Sequence, residues 1–135
     1  MRYLAIDYGA RRVGLAICDR QQTMASPYAV LPSGRSLYQQ IAKIVREQQI
    51  DAVVVGLPLN MDGSEGPQAA RVRAFVGRLA REVGVPIHLQ DERLTSFAAQ
   101  TRLDQWPISR TKRLRRVDAV AAVEILEAFL EGMRT

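Results

Sequence analysis

The sequence predicts an α/β fold, a five-stranded mixed sheet with helices on its faces. Three observations carry this expectation. Residues 2–31 hold three β-rich segments joined by short turns, which is the pattern of an antiparallel meander. The apolar period then changes to that of an amphipathic helix. From there strand-like and helical segments alternate to the end, as crossover connections require.

Each element has its own signal. Tyr3, Leu4, Ala5 and Ile6 mark a strand over residues 2–7, and Gly9 to Arg12 a turn. Residues 13–18 (Val-Gly-Leu-Ala-Ile-Cys) read as the second strand. Asp19 to Gln22 turn again, and residues 23–31 form a poorer strand whose Pro27 favours a sheet edge. Leu37, Ile41, Ile44 and Val45 fall at i, i+4, i+7 and i+8, one face of a helix. The run Ala52-Val53-Val54-Val55-Gly56-Leu57 suits a strand buried on both faces. Turn formers fill Pro58 to Gly66, and Val72, Phe75, Val76 and Leu79 mark a second helix closed by Gly84. Residues 85–90 make the fifth strand. Thr95 N-caps a short third helix that Pro107 stops, and the last helix covers residues 111–133.

Length and composition set limits. A chain of 135 residues fits one domain, residues 1–135, and buries roughly two-thirds of its unfolded surface. Cys18 is the sole cysteine, which excludes an internal disulfide and suits a reducing compartment. No segment has the run of roughly 18 apolar residues that a membrane span needs. The amino-terminal segment meets Asp7 before a signal-peptide core forms. The expectation is a soluble, cytoplasmic protein without a membrane partner. The net charge of +5 is concentrated: Arg102, Arg110, Lys112, Arg113, Arg115 and Arg116 face one acid, Asp104, between residues 102 and 116. The rest of the chain is neutral, so the excess points to a polyanion, nucleic acid first.

Three acids stand at the ends of core elements. Asp7 ends the first strand, Glu92 follows the fifth, and Asp118 lies in the last helix. Asp118 shares a stripe with Ala121, Ala122, Ile125, Phe129 and Met133, while Glu124, Glu127 and Glu131 lie off it. Acids on buried faces are costly unless paired or bound to a cation. The plain structural alternative makes Asp7 a turn residue, Asp118 a partner of Arg11 or Arg116, and Glu92 a partner of Arg93. Oxygen ligands suit Mg²⁺ or Mn²⁺. With one Cys and one His, a zinc site and a Ser-His-Asp triad are both disfavoured, and His88 reads as a structural strand residue.

Two glycine segments and the basic stretch add weight. The turn Asp7-Tyr8-Gly9-Ala10-Arg11-Arg12-Val13-Gly14 lacks both the P-loop and the dinucleotide signature. It is a hairpin turn, or a place where a phosphate backbone approaches closely. The segment Gly56 to Ser64 follows a buried strand, where α/β proteins commonly bind ligands. Arg110, Lys112, Arg113, Arg115 and Arg116 sit near a helix start, where the dipole disfavours cations, so phosphate contact explains them better than stability. Trp106 is a candidate base-stacking residue, though core packing is its commoner use.

Four segments together resemble the YqgF family, also called RuvX. They are Ile6-Asp7-Tyr8-Gly9 with Arg12 and Gly14; Val55-Gly56-Leu57-Pro58; Asp91-Glu92-Arg93-Leu94-Thr95; and Asp118-Ala119-Val120-Ala121-Ala122 with Ile125-Leu126. The resemblance spans essentially the whole chain. It implies an RNase H-like sheet of order 3-2-1-4-5 and kinship with the RuvC Holliday junction resolvase. It implies a metal-dependent nuclease acting on structured RNA, at the 5′ end of pre-16S ribosomal RNA, with four-way DNA junctions as the alternative substrate. It makes Asp7, Glu92 and Asp118 the catalytic and metal-binding acids, holding one or two Mg²⁺ or Mn²⁺ ions. Arg12, Arg93, Arg110, Lys112, Arg113, Arg115 and Arg116 then hold the nucleic acid. RuvC-type resolvases carry a further acid one turn away on the last helix, whereas position 115 here is Arg and positions 121 and 122 are Ala. That departure weighs against a firmly held second metal and against junction resolution, and leaves three acids with Asp91 assisting.

Two rival classes remain at this point. One is a non-catalytic nucleic-acid-binding module, separated from a nuclease by metal-dependent turnover. The other is an actin-like ATPase, whose phosphate motif resembles the Asp7 turn but whose fold needs two lobes. The expected assembly is a monomer or a homodimer, the latter required by a symmetric resolvase.

Overall fold

The computed structural model describes residues 1–93 and 119–134 in full and residues 110–118 as helical backbone. In chain order come β1 (Tyr3–Tyr8), β2 (Arg12–Cys18), β3 (Ala25–Pro32), α1 (Leu37–Glu47), β4 (Ala52–Leu57), α2 (Pro67–Leu79), β5 (Ile87–Asp91) and α3 (Arg110–Arg134). The sheet order is β3-β2-β1-β4-β5. β1, β2 and β3 pair antiparallel, and β4 pairs parallel to both β1 and β5. The expected short helix after Thr95, and Trp106, lie outside the described residues.

Strand alternation sorts the core into two layers. Leu4, Ile6, Val13, Leu15, Ile17, Val53 and Val55 face α1 and α2, where Leu37, Ile41, Val72, Phe75 and Leu79 meet them. Tyr3, Ala5, Ala16, Cys18, Ala52 and Val54 face α3 and its Ala122, Val123, Ile125, Leu126 and Leu130. All six residues of β4 are buried, as its unbroken apolar run requires. Each large apolar side chain so covered contributes roughly 1.5–3 kcal/mol. Small residues dominate the α3 face of the sheet, which lets that helix lie close.

Local details follow the same logic. Pro27 sits in edge strand β3 opposite Ala16, and the register slips there so that Tyr28 has no register partner. The second helix ends earlier than Gly84. The N–H groups of Ala80, Arg81, Glu82 and Val83 bond back to carbonyls of Val76, Arg78 and Leu79, closing a final turn first. Glu124 is half-buried, so the covered side of α3 is wider than the stripe read from the sequence. Cys18 is buried, accepts the Tyr3 N–H at 3.2 Å, and has its thiol pKa raised by burial. Among the described residues no helix is long and apolar enough to cross a membrane.

The direction of α3 matters for the site. Ile125 lies against Gly56, near the carboxyl end of β4. One turn on, the Phe129 ring lies 5.2 Å from both Tyr3, at the start of β1, and His88 of β5. The helix therefore runs antiparallel to β1 and β4. Its backbone at Asp118, about 10 Å of helix axis before Ile125, extends toward the carboxyl ends of those strands.

Candidate active site

The alternation that packs the core also places the acids. Tyr3, Ala5 and Asp7 share the α3 face of β1, and Ala52, Val54 and Gly56 share it on β4. On β5 the same parity runs through His88, whose ring meets Phe129 of α3, to Gln90 and Glu92. Asp7 and Glu92 thus stand on one face, at the carboxyl ends of two strands that flank β4. Glycine lies on either side of Asp7: Gly14 is its register partner on β2, and Gly56 follows the Ile6–Val55 pair on β4. The Glu92 N–H donates to the Leu57 carbonyl at 3.3 Å, which extends the β5 alignment to Glu92.

The Glu92 side chain lies over Gly56. A methyl group added there would sit 2.5 Å from Ile125 Cδ1 and 3.0 Å from Glu92 Cδ, and closer still to Glu92 Oε2. Burial, then the charge of Asp7, then that of Asp91, push the Glu92 carboxyl up to about 8. Gathering two acids in a half-buried place has this consequence, because the second charge is disfavoured both by lost water and by the first. The donor set consists of carboxylate oxygens, which fits a hard divalent cation such as Mg²⁺ or Mn²⁺. Among the described residues no three His, Cys, Asp or Glu side chains gather for a metal. Asp7 and Glu92 are two of the three expected acids, and the Asp118 side chain lies outside the described residues.

Asp91 and Arg93 take the opposite parity and form a separate unit. Arg93 Nε and a terminal nitrogen bond Asp91 Oδ2 at 2.9 and 2.7 Å, and the Arg93 N–H reaches Asp91 Oδ1 at 3.0 Å. The other terminal nitrogen donates to the Met61 carbonyl at 3.2 Å. This overturns one sequence reading. Arg93 pairs with Asp91 and not with Glu92, because residues two apart along an extended chain share a side. Asp91 is held below its usual pKa by the Arg93 fork and is engaged in that pair. Arg93 keeps part of its side chain exposed while fastening the Asn60–Ser64 turn to the end of β5.

That turn is internally bonded. Asn60 N–H meets the Ser64 carbonyl at 2.9 Å, and Asp62 Oδ1 accepts the Ser64 N–H and hydroxyl at 2.9 and 2.6 Å. Glu65 grips Arg73 of α2 at 2.6 and 2.7 Å. At the β1–β2 hairpin the reason for Gly9 is local: a Cβ there would lie 2.5 Å from the Arg12 carbonyl oxygen. The close approach of that carbonyl by itself accounts for glycine at this position. Arg12 opens β2 opposite Pro32 and is half-buried. Arg110, Lys112, Arg113, Arg115 and Arg116 fall in the first two turns of α3, and their side chains lie outside the described residues. Sequence reasoning missed Gly56 as a floor for Glu92. The available signal was a glycine inside a buried, β-branched strand, which commonly marks close approach.

The sheet order, with α3 packed across one face, is that of an RNase H-like fold. T. thermophilus RuvC in complex with Holliday junction substrate matches it with a TM-score of 0.61 at 17% identity, covering 100% of this chain and 97% of that one. The fowlpox virus Holliday junction resolvase matches with a TM-score of 0.60 at 14% identity, over 98% and 99% of the two chains. A protein of Anaeromyxobacter sp. (strain Fw109-5) is 46% identical over 134 residues, 98% of each chain. One from Maridesulfovibrio salexigens is 39% identical over 132 residues, 96% of this chain and 98% of its own. Both carry the name "Putative pre-16S rRNA nuclease". The family described as "RuvX: Holliday junction resolvase" matches residues 1–132. The chain belongs to the RuvX family and is a nuclease of the RNase H-like class.

Proposed function

We propose that this protein is a cytoplasmic, divalent-metal-dependent endonuclease that trims the 5′ end of pre-16S ribosomal RNA. The observation that carries the reading is the placement of Asp7 and Glu92 on one face, close enough for Asp7 to raise the Glu92 pKa. Asp7, Glu92 and Asp118 are the residues that would hold Mg²⁺ or Mn²⁺. The chemistry such an ion brings when bound is a lowered water pKa and charge for the leaving oxygen of an in-line displacement. Asp7 supplies a carboxylate from the rigid central strand, and Glu92 a second from beyond the edge strand. Arg93 fixes the neighbouring turn, while Arg12, Arg110, Lys112, Arg113, Arg115 and Arg116 hold phosphates. The substrate assignment is supported by the names of relatives at 46% and 39% identity.

A second substrate, the four-way DNA junction, is favoured by the family's description and by the fold shared with RuvC. The test sets precursor 16S RNA fragments and four-way junctions side by side with Mn²⁺ or Mg²⁺. Cutting of the RNA near the mature 5′ end, with intact junctions, is expected. Cutting of junctions alone would overturn the RNA assignment.

A further inference from the structure

We propose that Gly56 is a positioning residue for the reaction, its bare Cα forming the seat that holds the Glu92 carboxylate beside Asp7. The inference deepens the reading above and rests on Asp7 and Glu92 being ligands of a divalent ion. Three observations meet at this carbon. Gly56 neighbours Asp7 across the parallel β1–β4 pairing. The Glu92 carboxyl carbon and Oε2 occupy the space a Cβ would take. From the helix side Ile125 Cδ1 closes the same space. The rest of β4 follows its buried pattern with Ala, Val and Leu, so packing alone would accept alanine at this point only if Glu92 and Ile125 both moved.

Two neighbours press on the site from different sides, and this separates positioning from packing. Gly56→Ala meets both Glu92 and Ile125. Ile125→Val removes Cδ1, so in the Gly56→Ala/Ile125→Val double variant the added methyl meets Glu92 alone. Glu92 must then leave its seat over Gly56 while the core is relieved. Outer residues that orient ligands typically change metal affinity roughly 10–100-fold.

The experiment uses the full chain and Mn²⁺ as the probe. Thermal melting in chelator reports packing, and calorimetric titration with Mn²⁺ reports the site. Gly56→Ala is expected to lower both the melting temperature and Mn²⁺ affinity. The double variant is expected to recover most of the melting temperature while its Mn²⁺ affinity stays roughly 10–100-fold weak. Ile125→Val alone is expected to bind Mn²⁺ as the wild type does. Recovery of Mn²⁺ affinity in the double variant, or wild-type affinity in Gly56→Ala, would reduce Gly56 to a packing residue and overturn the inference alone. A wild-type protein that takes up no Mn²⁺ would overturn the ligand reading, and the inference with it.

Discussion

Asp7 and Glu92 face one another across Gly56 of β4, and the charge of Asp7 helps push the Glu92 carboxyl up to about 8. A carboxyl whose folded pKa lies above its unfolded value near 4.5 binds more protons in the folded state between those two pH values. Stability is then fullest below about pH 4.5 and declines as pH rises toward 8. The decline attributable to Glu92 is on the order of 5 kcal/mol at most. Urea unfolding in chelator from about pH 5 to about pH 8 is expected to show this fall, and Glu92→Gln to flatten it. Added Mn²⁺ is expected to restore stability at the alkaline end, where the charged pair costs most. A wild-type profile as flat as that of Glu92→Gln would contradict the placement of Glu92.

The Arg93 fork gives a prediction about order rather than charge. Arg93→Lys keeps the cation but cannot bond Asp91 and the Met61 carbonyl together as the guanidinium does. Amide hydrogen exchange across Asn60–Ser64 is expected to speed up in Arg93→Lys nearly as much as in Arg93→Ala. The Asp91 carboxyl, followed by NMR, is expected to titrate higher in Arg93→Ala. Protection retained in Arg93→Lys would show that a cation at this position orders the turn without the guanidinium fork.

Phe75 links the core to the site strand. It is 2% exposed, and its ring stacks on Tyr8 with 4.3 Å between centroids, next to Asp7. Tyr38 flanks it at 5.6 Å. Phe75→Ala is expected to cost about 3–5 kcal/mol in chemical denaturation. A loss under about 1 kcal/mol would mean that the α2 layer does not rest on this ring.

The basic segment is tested by salt. Replacing Arg113, Arg115 and Arg116 with Gln is expected to weaken RNA binding. The slope of log K against log salt should shrink by roughly 0.7–0.9 for each phosphate that is no longer neutralised. An unchanged slope would remove these residues from the interface.

Much of the fold was legible because its signals are local. The unbroken run Ala52–Leu57 announced a strand covered on both faces, and Pro27 announced an edge. Asp7 and Glu92 were legible as costly acids at element ends. What escaped depended on register between distant segments. Glu92 and Arg93 are adjacent in sequence, yet the extended chain turns them to opposite faces and pairs Arg93 with Asp91. Gly56 read as part of a motif, and its use emerges only when Glu92, from a different strand end, is laid over it. Gly9, by contrast, needs no ligand to explain it, since the Arg12 carbonyl occupies its open side.

The most direct test of the central claim is RNA cleavage with and without Mn²⁺, comparing the wild type with Asp7→Asn and Glu92→Gln while RNA binding is measured in parallel. The account predicts cleavage only in the wild type with the ion, and binding retained in both variants. Full cleavage by Asp7→Asn, or wild-type cleavage that persists in chelator, would contradict it.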